Sequence, residues 1–309
     1  MKKFSIAIHG GAGTLLKSEM NPKSESKYRE ALSKALAKGY FILESGGSAL
    51  DAVTASVVYL EDCPLFNAGK GSVFTSKGTQ EMDASIMDGK TQDAGAVAMV
   101  RRIKNPVLLA RTVLEKSEHL MLAGKGAELF AKKQGIKRVS EDYFFTKQRY
   151  KQLLVAKENN EITLDHDSRK FGTVGAVAFD QQNCLAAATS TGGMTNKKFG
   201  RIGDTPIIGS GTWADNSTCA ISCTGSGEYF MRMNVAFHVA CIMKYAKLSL
   251  EESVHKVIHE LLPTINGDGG LIAVDANGNL CLDFNTEGMY RAYQKNGEKA
   301  VISIFKEEK

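Results

Sequence analysis

The stretch that most constrains this chain is residues 172–180, GTVGAVAFD, where a threonine follows a glycine at the start of an apolar, β-prone run. The run predicts a buried strand that begins at Thr173. A threonine hydroxyl is a weak nucleophile unless a base lies beside it, and the nearest base here is the α-amine of Thr173 itself, released if the Gly172–Thr173 bond is cut. On these residues alone, an ordinary strand start is the simpler explanation.

The same threonine could make that cut. Its hydroxyl could attack the carbonyl of Gly172 and form an ester that water then hydrolyses. Glycine favours this step, because it has no Cβ to crowd the attack and tolerates a strained backbone. The freed α-amine would have a pKa of about 7.7–8.0, so a useful fraction would be neutral near pH 7.

Composition restricts the class of protein. With 309 residues, 43% hydrophobic and 24% charged, the chain can bury a large core, which excludes a disordered or collagen-like protein. The net charge of +5 is small for this length and the basic residues are scattered. We therefore expect no nucleic-acid partner.

Cysteine spacing and the N-terminus indicate the compartment. The six cysteines form no CxxC pair and follow no secretory signal, so we expect reduced thiols in a cytoplasmic protein. The apolar run near the N-terminus is too short for a membrane span, and we find no transmembrane segment elsewhere.

Apolar periodicity predicts a mixture of helices and strands. Helices are predicted at 25–44, 48–61, 106–117, 125–134, 228–246 and 249–262. Strands are predicted at 4–8, 81–89, 95–100, 173–180, 184–190, 218–223, 270–274, 279–283 and 301–305, with 173–180 and 184–190 forming a hairpin.

Two segments lack this periodicity. Residues 60–72 are rich in Gly and carry a Pro, which predicts an irregular backbone whose free carbonyls suit either a monovalent cation or simple packing, and packing is the simpler explanation. Residues from about 157 to 172 are polar and short of core anchors. They predict a mobile linker just before Thr173, as a self-cleaving precursor needs.

Several polar residues have ordinary explanations. His255 and His259 lie four apart on a predicted helix, but no third metal ligand is close in sequence and the HEXXH order is absent. Asp83 and Asp88 could be paired acids, although an aspartate before a turn is the simpler explanation. The glycines around Ser226 precede a helix and suit an anion or oxyanion.

Taken together, five stretches resemble the plant-type L-asparaginase and isoaspartyl peptidase family, which are N-terminal nucleophile hydrolases. They span nearly the whole chain in the family's order, and residues 285–291 agree as well. The stretches are 9–13 (HGGAG), 65–69 with 82–84 (LFNAG, MDA), 172–178 (GTVGAVA), 189–204 (TSTGGMTNK through GRIGD) and 223–228 (CTGSGE).

The resemblance implies an α+β fold, a four-layer αββα sandwich formed by one domain over residues 1–309. It implies a precursor cut into an α chain, 1–172, and a β chain, 173–309. Two such αβ units would form a homodimer.

The resemblance also implies catalytic roles. Thr173 would be the nucleophile and, through its amine, the base. Thr191 would hydrogen-bond to the Thr173 hydroxyl and tune it. Thr224 and the N–H of Gly225 would form the oxyanion hole.

Substrate and ion sites are implied in the same way. Arg201 would bind the substrate α-carboxylate and Asp204 its α-ammonium, with Asn67 and Gly227 lining the pocket. No catalytic cofactor is implied. The resemblance also implies a structural sodium ion in the loop for which the residues alone favour simple packing. The ion would be held by the main-chain carbonyls of Leu60, Glu61, Cys63, Phe66, Ala68 and Lys70.

The implied reaction is hydrolysis of isoaspartyl dipeptides and L-asparagine through an acyl-enzyme, which gives L-aspartate. Two alternatives stay open. One is a glycosylasparaginase-like amidase, although the Gly192-Gly193 pair after Thr191 fits the asparaginase branch better. The other is a non-catalytic, uncut protein that only binds aspartate.

Overall fold

Two β-sheets pack face to face in the computed structural model, which describes residues 3–13, 15–159, 161–162 and 172–306. The strands are β1 (Ser5–Gly13), β2 (Met82–Asp88), β3 (Ala94–Val100), β4 (Met121–Ala123), β5 (Val174–Phe179), β6 (Leu185–Thr191), β7 (Thr212–Ala214), β8 (Cys219–Gly225), β9 (Gly269–Asp275), β10 (Leu280–Phe284), β11 (Gly288–Lys295) and β12 (Val301–Phe305).

The α-helices cover the outer faces of these sheets. They are α1 (Pro22–Glu44), α2 (Ala49–Asp62), α3 (Pro106–Lys116), α4 (Gly124–Lys133), α5 (Lys147–Glu158), α6 (Gly227–Met233), α7 (Val235–Cys241) and α8 (Leu250–His255). α7 and α8 continue into π-helical segments, Ile242–Ala246 and Lys256–Leu261.

The larger sheet has the strand order β12-β11-β1-β5-β6-β2-β3-β4, and the smaller one β10-β9-β8-β7. All neighbouring strands are antiparallel except β3 and β4, which are parallel. β5 and β6 form the predicted hairpin, with Val174 opposite Ser190 and Phe179 opposite Leu185. The residue after Thr173 is thus the first of a central strand.

Three layers of apolar side chains separate the four layers of structure. Between the sheets lie small and medium side chains such as Ala7, Val177 and Ile272. A second core joins the larger sheet to α1, α2 and α3, and a third joins the smaller sheet to α6–α8. This confirms the predicted α+β, four-layer αββα sandwich.

Local sequence explains where the main helices begin. The side chain of Asn21 accepts a hydrogen bond from the Ser24 N–H and Pro22 occupies the first turn of α1. Ser48 caps α2 as predicted, and a full capping box formed by Ser249 and Glu252 starts α8.

Some sequence predictions need correction. The helix predicted at 228–246 is broken at Asn234, whose left-handed backbone (φ 48°) separates α6 from α7. The linker predicted from about residue 157 begins later, because α5 extends through Glu158. Residues 160 and 163–171, which make up most of that linker, lie outside the described residues.

Membrane-spanning helices were sought among the described residues. None of the helices there is both long and apolar enough to cross a bilayer.

Candidate active site

Thr173 lies directly before β5 and is buried against the end of β6. Its hydroxyl donates a hydrogen bond to the hydroxyl of Thr191, with 3.1 Å between the two oxygens. The Thr191 hydroxyl also accepts the N–H of Gly193 at 3.0 Å, which fixes its orientation. The structure therefore brings the expected nucleophile together with the residue expected to tune it.

Gly172 contacts Asn67, and the contact requires a glycine. The carbonyl oxygen of Gly172 accepts the main-chain N–H of Asn67 at 3.1 Å. A Cβ atom added to Gly172 would lie 2.2 Å from the Cβ of Asn67, far inside van der Waals contact. Only a glycine can bring this peptide bond so close to Asn67.

Asn67 is itself held rigidly. Its side-chain amide donates to the carbonyl of Gly193 at 2.7 Å and its side-chain oxygen accepts the N–H of Val73 at 3.0 Å. Its own carbonyl accepts the N–H of Gly192 at 2.9 Å. Asn67 thus links the Gly172–Thr173 peptide bond to the glycines that follow Thr191.

His9 on β1 holds the main chain of Thr173 from the other side. Its Nδ1 lies 3.1 Å from the carbonyl oxygen of Thr173 and its Nε2 lies 2.9 Å from the hydroxyl oxygen of Ser222. Burial lowers the pKa of His9 to about 3, so the ring is neutral near pH 7. Because a carbonyl can only accept, Nδ1 carries the hydrogen and Nε2 accepts from Ser222.

A row of buried hydroxyls continues from Ser222 between the sheets. Its oxygen lies 2.7 Å from that of Thr189, which lies 2.5 Å from that of Thr212. Thr212 in turn is 2.7 Å from Ser85, whose hydroxyl also reaches the carbonyl of Thr205 at 2.6 Å. Hydrogen bonds therefore connect the main chain of Thr173 with the residue that follows Asp204.

Gly175 explains how close the two sheets come at this point. A Cβ atom there would lie 1.9 Å from the Ser222 hydroxyl and 2.5 Å from Nε2 of His9. Gly175 is thus required by the packing of β5 against β8 and His9.

Thr224 and Gly225, the expected oxyanion hole, form the end of β8. Thr224 is fully buried, and its hydroxyl oxygen accepts the N–H of Ala12 at 3.2 Å. That bond uses one of the oxygen's two lone pairs and leaves the hydroxyl hydrogen available to an oxyanion. Gly225 packs so tightly that a Cβ atom would lie 2.5 Å from both the Asp268 carbonyl and the Phe230 ring.

Arg201, Asp204 and Gly227 lie together, as expected for a binding site for an amino acid. A Cβ atom on Gly227 would lie 2.8 Å from the Oδ1 of Asp204 and 3.1 Å from an amino nitrogen of Arg201. Arg201 is already bound in a bidentate manner by Glu228, with its Nε and Nη2 at 2.8 and 2.7 Å from the two carboxylate oxygens. Sequence reasoning did not predict that partner.

Asp204 is a buried acid with one carboxylate oxygen left without a partner. Its side chain is buried, and its Oδ2 makes no hydrogen bond to any residue that the structure describes. Burial raises the pKa of Asp204 to about 7, against the opposing effect of the Arg201 charge. A substrate ammonium group would supply the missing partner and favour the carboxylate.

A second buried acid, Asp83, was wrongly ascribed to a turn. It lies on β2 opposite Thr191, and its Oδ1 accepts the N–H of Met99 at 2.8 Å. Burial raises its pKa, and the nearby charge of buried Lys197 opposes that shift. Asp88, in contrast, does precede a turn, where its Oδ1 accepts the N–H of Lys90.

The expected sodium loop, residues 60–70, folds back on the end of α2. Gly69 has a left-handed backbone (φ 50°), and a Cβ there would lie 2.3 Å from the Glu61 carbonyl oxygen. The carbonyls of Leu60, Phe66 and Ala68 each accept one main-chain N–H and keep a second lone pair.

Two ionisable side chains near this loop bear on whether it could hold a cation. The Lys70 ammonium lies over the Tyr143 ring, 5.2 Å from its centroid, rather than among the carbonyls. Burial raises the pKa of Glu61 to about 8, and its Oε2 has no hydrogen-bond partner among the described residues. A cation bound nearby would favour the charged carboxylate.

Comparisons with known proteins agree with this arrangement. The family model described as Asparaginase matches residues 2–304. The chain is 51% identical to the isoaspartyl peptidase of Salmonella typhimurium, over 99% of this chain and 100% of that protein. It is also 51% identical to the isoaspartyl peptidase of Escherichia coli, over 99% and 98% of the two chains.

A plant relative is more distant. The probable isoaspartyl peptidase/L-asparaginase 2 of Arabidopsis thaliana is 41% identical over 94% of this chain and 95% of its own length. The match over nearly the full length, together with the grouping of Thr173, Thr191 and Asn67, leads to one conclusion: the chain belongs to the asparaginase family that includes the plant-type L-asparaginases and isoaspartyl peptidases.

Proposed function

We propose that this chain is a threonine amidohydrolase that cuts itself between Gly172 and Thr173 and then hydrolyses isoaspartyl dipeptides and L-asparagine to L-aspartate. The observation that carries the proposal is the position of Thr173: its hydroxyl is bound to Thr191 while the preceding carbonyl is bound to the N–H of Asn67. The names of the relatives support the same substrates.

Self-cleavage begins from the uncut chain. The Thr173 hydroxyl oxygen attacks the Gly172 carbonyl carbon, and the hydroxyl proton leaves along its hydrogen bond toward Thr191. The Asn67 N–H, which already binds the Gly172 oxygen, stabilises the negative charge on that oxygen. The C–N bond then breaks as the nitrogen takes the proton that the Thr191 hydroxyl has relayed from Thr173, and water hydrolyses the resulting ester to give a Gly172 carboxylate and a free Thr173 amine.

Substrate hydrolysis would use that new amine. The neutral amine takes the hydroxyl proton as the Thr173 oxygen attacks the β-carbonyl carbon of the substrate. The Thr224 hydroxyl and the Gly225 N–H stabilise the oxyanion. Ammonia or a peptide amine leaves with the proton, and water then hydrolyses the β-aspartyl ester to free aspartate and Thr173.

Specificity for an α-amino acid would come from Arg201 and Asp204. With Nε and one Nη2 hydrogen engaged by Glu228, Arg201 keeps its Nη1 hydrogens for the substrate α-carboxylate. The unpartnered oxygen of Asp204 would accept the α-ammonium. The α-carboxylate and the α-ammonium of the substrate would both be bound at one end of the site. The β-amide at the other end of the substrate would then be free to reach Thr173.

An assay with three substrates tests this proposal. The processed protein is incubated separately with a β-aspartyl dipeptide, with L-asparagine and with a glycosylated asparagine, and aspartate release is followed. We expect release from the first two and none beyond the level of a Thr173→Ala variant from the third. Turnover of the glycosylated substrate alone would favour the glycosylasparaginase alternative. Binding of these ligands without turnover would favour the uncut protein that only binds aspartate.

A structural sodium ion is part of the proposal. The carbonyls of the loop 60–70 would hold it, and its charge would favour the buried Glu61 carboxylate. Replacing Na⁺ by the bulky tetramethylammonium ion should lower the melting temperature of the protein. A melting temperature that does not depend on the cation would contradict the sodium site.

We also propose a cytoplasmic location and a homodimer of αβ units. All six cysteines are unpaired thiols in the structure, which supports a reducing compartment such as the cytosol. The homodimer of αβ units rests on the resemblance to the family. Cell fractionation and light scattering after gel filtration test the two points.

A further inference from the structure

Two histidines and an aspartate meet on the outer side of the smaller sheet, away from the residues assigned to catalysis. His255 and His259 lie on α8 and the π-helical segment that continues it, and their rings stack with centroids 4.8 Å apart. Asp283, on the edge strand β10, faces them, and its Oδ1 lies 2.9 Å from Nε2 of His259. No third ligand is close to these histidines in sequence, but in the structure a distant strand places a carboxylate beside them.

We propose that His255, His259 and Asp283 form a binding site for a divalent transition metal of the zinc class. One ligand atom from each residue lies within 4.8 Å of the other two. Two imidazoles and a carboxylate are a ligand set that zinc favours.

The geometry needs only side-chain rotations. Tetrahedral ligation at about 2.0–2.1 Å separates neighbouring ligand atoms by roughly 3.3 Å. The 2.9 Å contact between His259 and Asp283 must widen slightly, and His255, which is exposed on the helix surface, must turn toward them.

The surroundings of Asp283 support a ligand role. Its Oδ1 also accepts the N–H of Phe284 at 2.8 Å, which fixes the carboxylate as hydrogen bonds to a metal ligand usually do. His259 and Asp283 line a cavity of about 420 Å³, so a metal held by them would have its fourth position open to solvent.

Cationic side chains on the wall of the same cavity oppose the binding of a metal ion. Arg291, Lys295 and Lys306 also line the cavity and would repel a dication. The negative charge of Asp283 offsets part of that repulsion, so its loss should weaken binding at least as much as the loss of one histidine. Without a metal, these residues make the hydrogen bond between His259 and Asp283 and the ring contact between His255 and His259.

The proposal does not depend on the proposed function. All three ligands lie after Thr173 and none of them contacts the catalytic residues in the hydrogen bonds described above. An uncut Thr173→Ala variant should therefore bind metal as tightly as the active enzyme. Failure of metal binding would leave self-cleavage and turnover untouched.

Calorimetric titration of the full chain with Zn²⁺, after treatment with a chelator, tests the proposal. We expect one equivalent to bind, and at least tenfold weaker binding in His255→Gln, His259→Ala and Asp283→Asn. His238→Ala, which removes a histidine from α7, is the matched control and should bind as the wild type does. Co²⁺ should give the visible absorption of a tetrahedral site in the wild type and in His238→Ala, but not in the three ligand variants.

Each outcome decides the matter. His255→Gln changes an exposed side chain and is expected to keep the melting temperature of the metal-free protein, so that a loss of binding with an unchanged melting temperature cannot come from misfolding. Binding that survives all three substitutions, or a wild type that binds no zinc, would overturn the site and leave an ordinary hydrogen bond between His259 and Asp283.

Discussion

The main-chain N–H of Asn67 donates a hydrogen bond of 3.1 Å to the carbonyl oxygen of Gly172, the oxygen that must become negative if Thr173 attacks. Asn67 stays in place through its bonds to Gly193 and Val73. The donor is therefore positioned before any reaction begins, which is the arrangement that stabilises an oxyanion most effectively.

Replacing Gly172 by alanine should slow self-cleavage severely. The new Cβ would lie 2.2 Å from the Cβ of Asn67, so the peptide bond must move away from its donor. Loss of one oxyanion donor costs about 10²–10³ in rate. Gel electrophoresis over time measures the cut, and Gly126→Ala, where a Cβ meets nothing within 4 Å, is the control. Cleavage of Gly172→Ala at the wild-type rate would show that the contact is not needed.

The Thr224 hydroxyl is expected to act in turnover. Thr224→Ala should lower kcat by about 10²–10³ while the protein remains folded, because the hydroxyl hydrogen that would bind the oxyanion is lost. Thr224→Ser keeps the hydroxyl and should restore most of the rate. Steady-state kinetics of the processed variants decides this, and near-normal turnover by the alanine variant would exclude the assigned role.

Glu228 is expected to position Arg201. Removing its charge in Glu228→Gln weakens the bidentate bond, which lets the guanidinium move and should raise KM about three- to fivefold with kcat nearly unchanged. The ion pair is partly exposed, so a larger effect is not expected. A fall in KM would mean instead that Glu228 competes with the substrate for Arg201.

Asp204 should make the free protein less stable as pH rises. Its pKa is about 7 in the folded state and about 3.9 when unfolded, so the unfolded chain loses its proton first and stability falls between about pH 4 and pH 7. Asp204→Asn removes this penalty and should melt at a higher temperature than the wild type at pH 8, with little difference at pH 4.

The same substitution should abolish substrate binding, because the amide cannot pair with an ammonium group. In the wild type, KM should rise as pH falls below about 7, where the Asp204 carboxylate becomes protonated. A variant that is no more stable than the wild type at pH 8, or that keeps its KM, would contradict this account of Asp204.

Much of the fold could be predicted from local sequence. The capping residue Ser48 and the hairpin that starts after Thr173 are local features, and the structure confirms them. α5 was missed because one of its buried positions is Arg149, whose guanidinium donates to the Gly71 carbonyl at 2.8 Å. A helix that buries an arginine does not show the apolar periodicity on which sequence reasoning depends.

The parts of the site that were missed depend on contacts between distant segments. Glu228 reaches back to Arg201, and Ser222 reaches His9 across the two sheets. The break at Asn234 was also not predicted, since residues 228–246 contain no proline or glycine to mark it. Such contacts and breaks are set by tertiary packing, which overrides local propensity.

Mass spectrometry of the intact protein over several days, beside a Thr173→Ala variant, tests the central claim most directly. We predict that the wild type converts to two fragments, one ending at Gly172 and one beginning at Thr173, while the variant stays whole. An unbroken chain in both proteins, or a cut at the same bond in the variant, would contradict the assignment of Thr173 as the nucleophile.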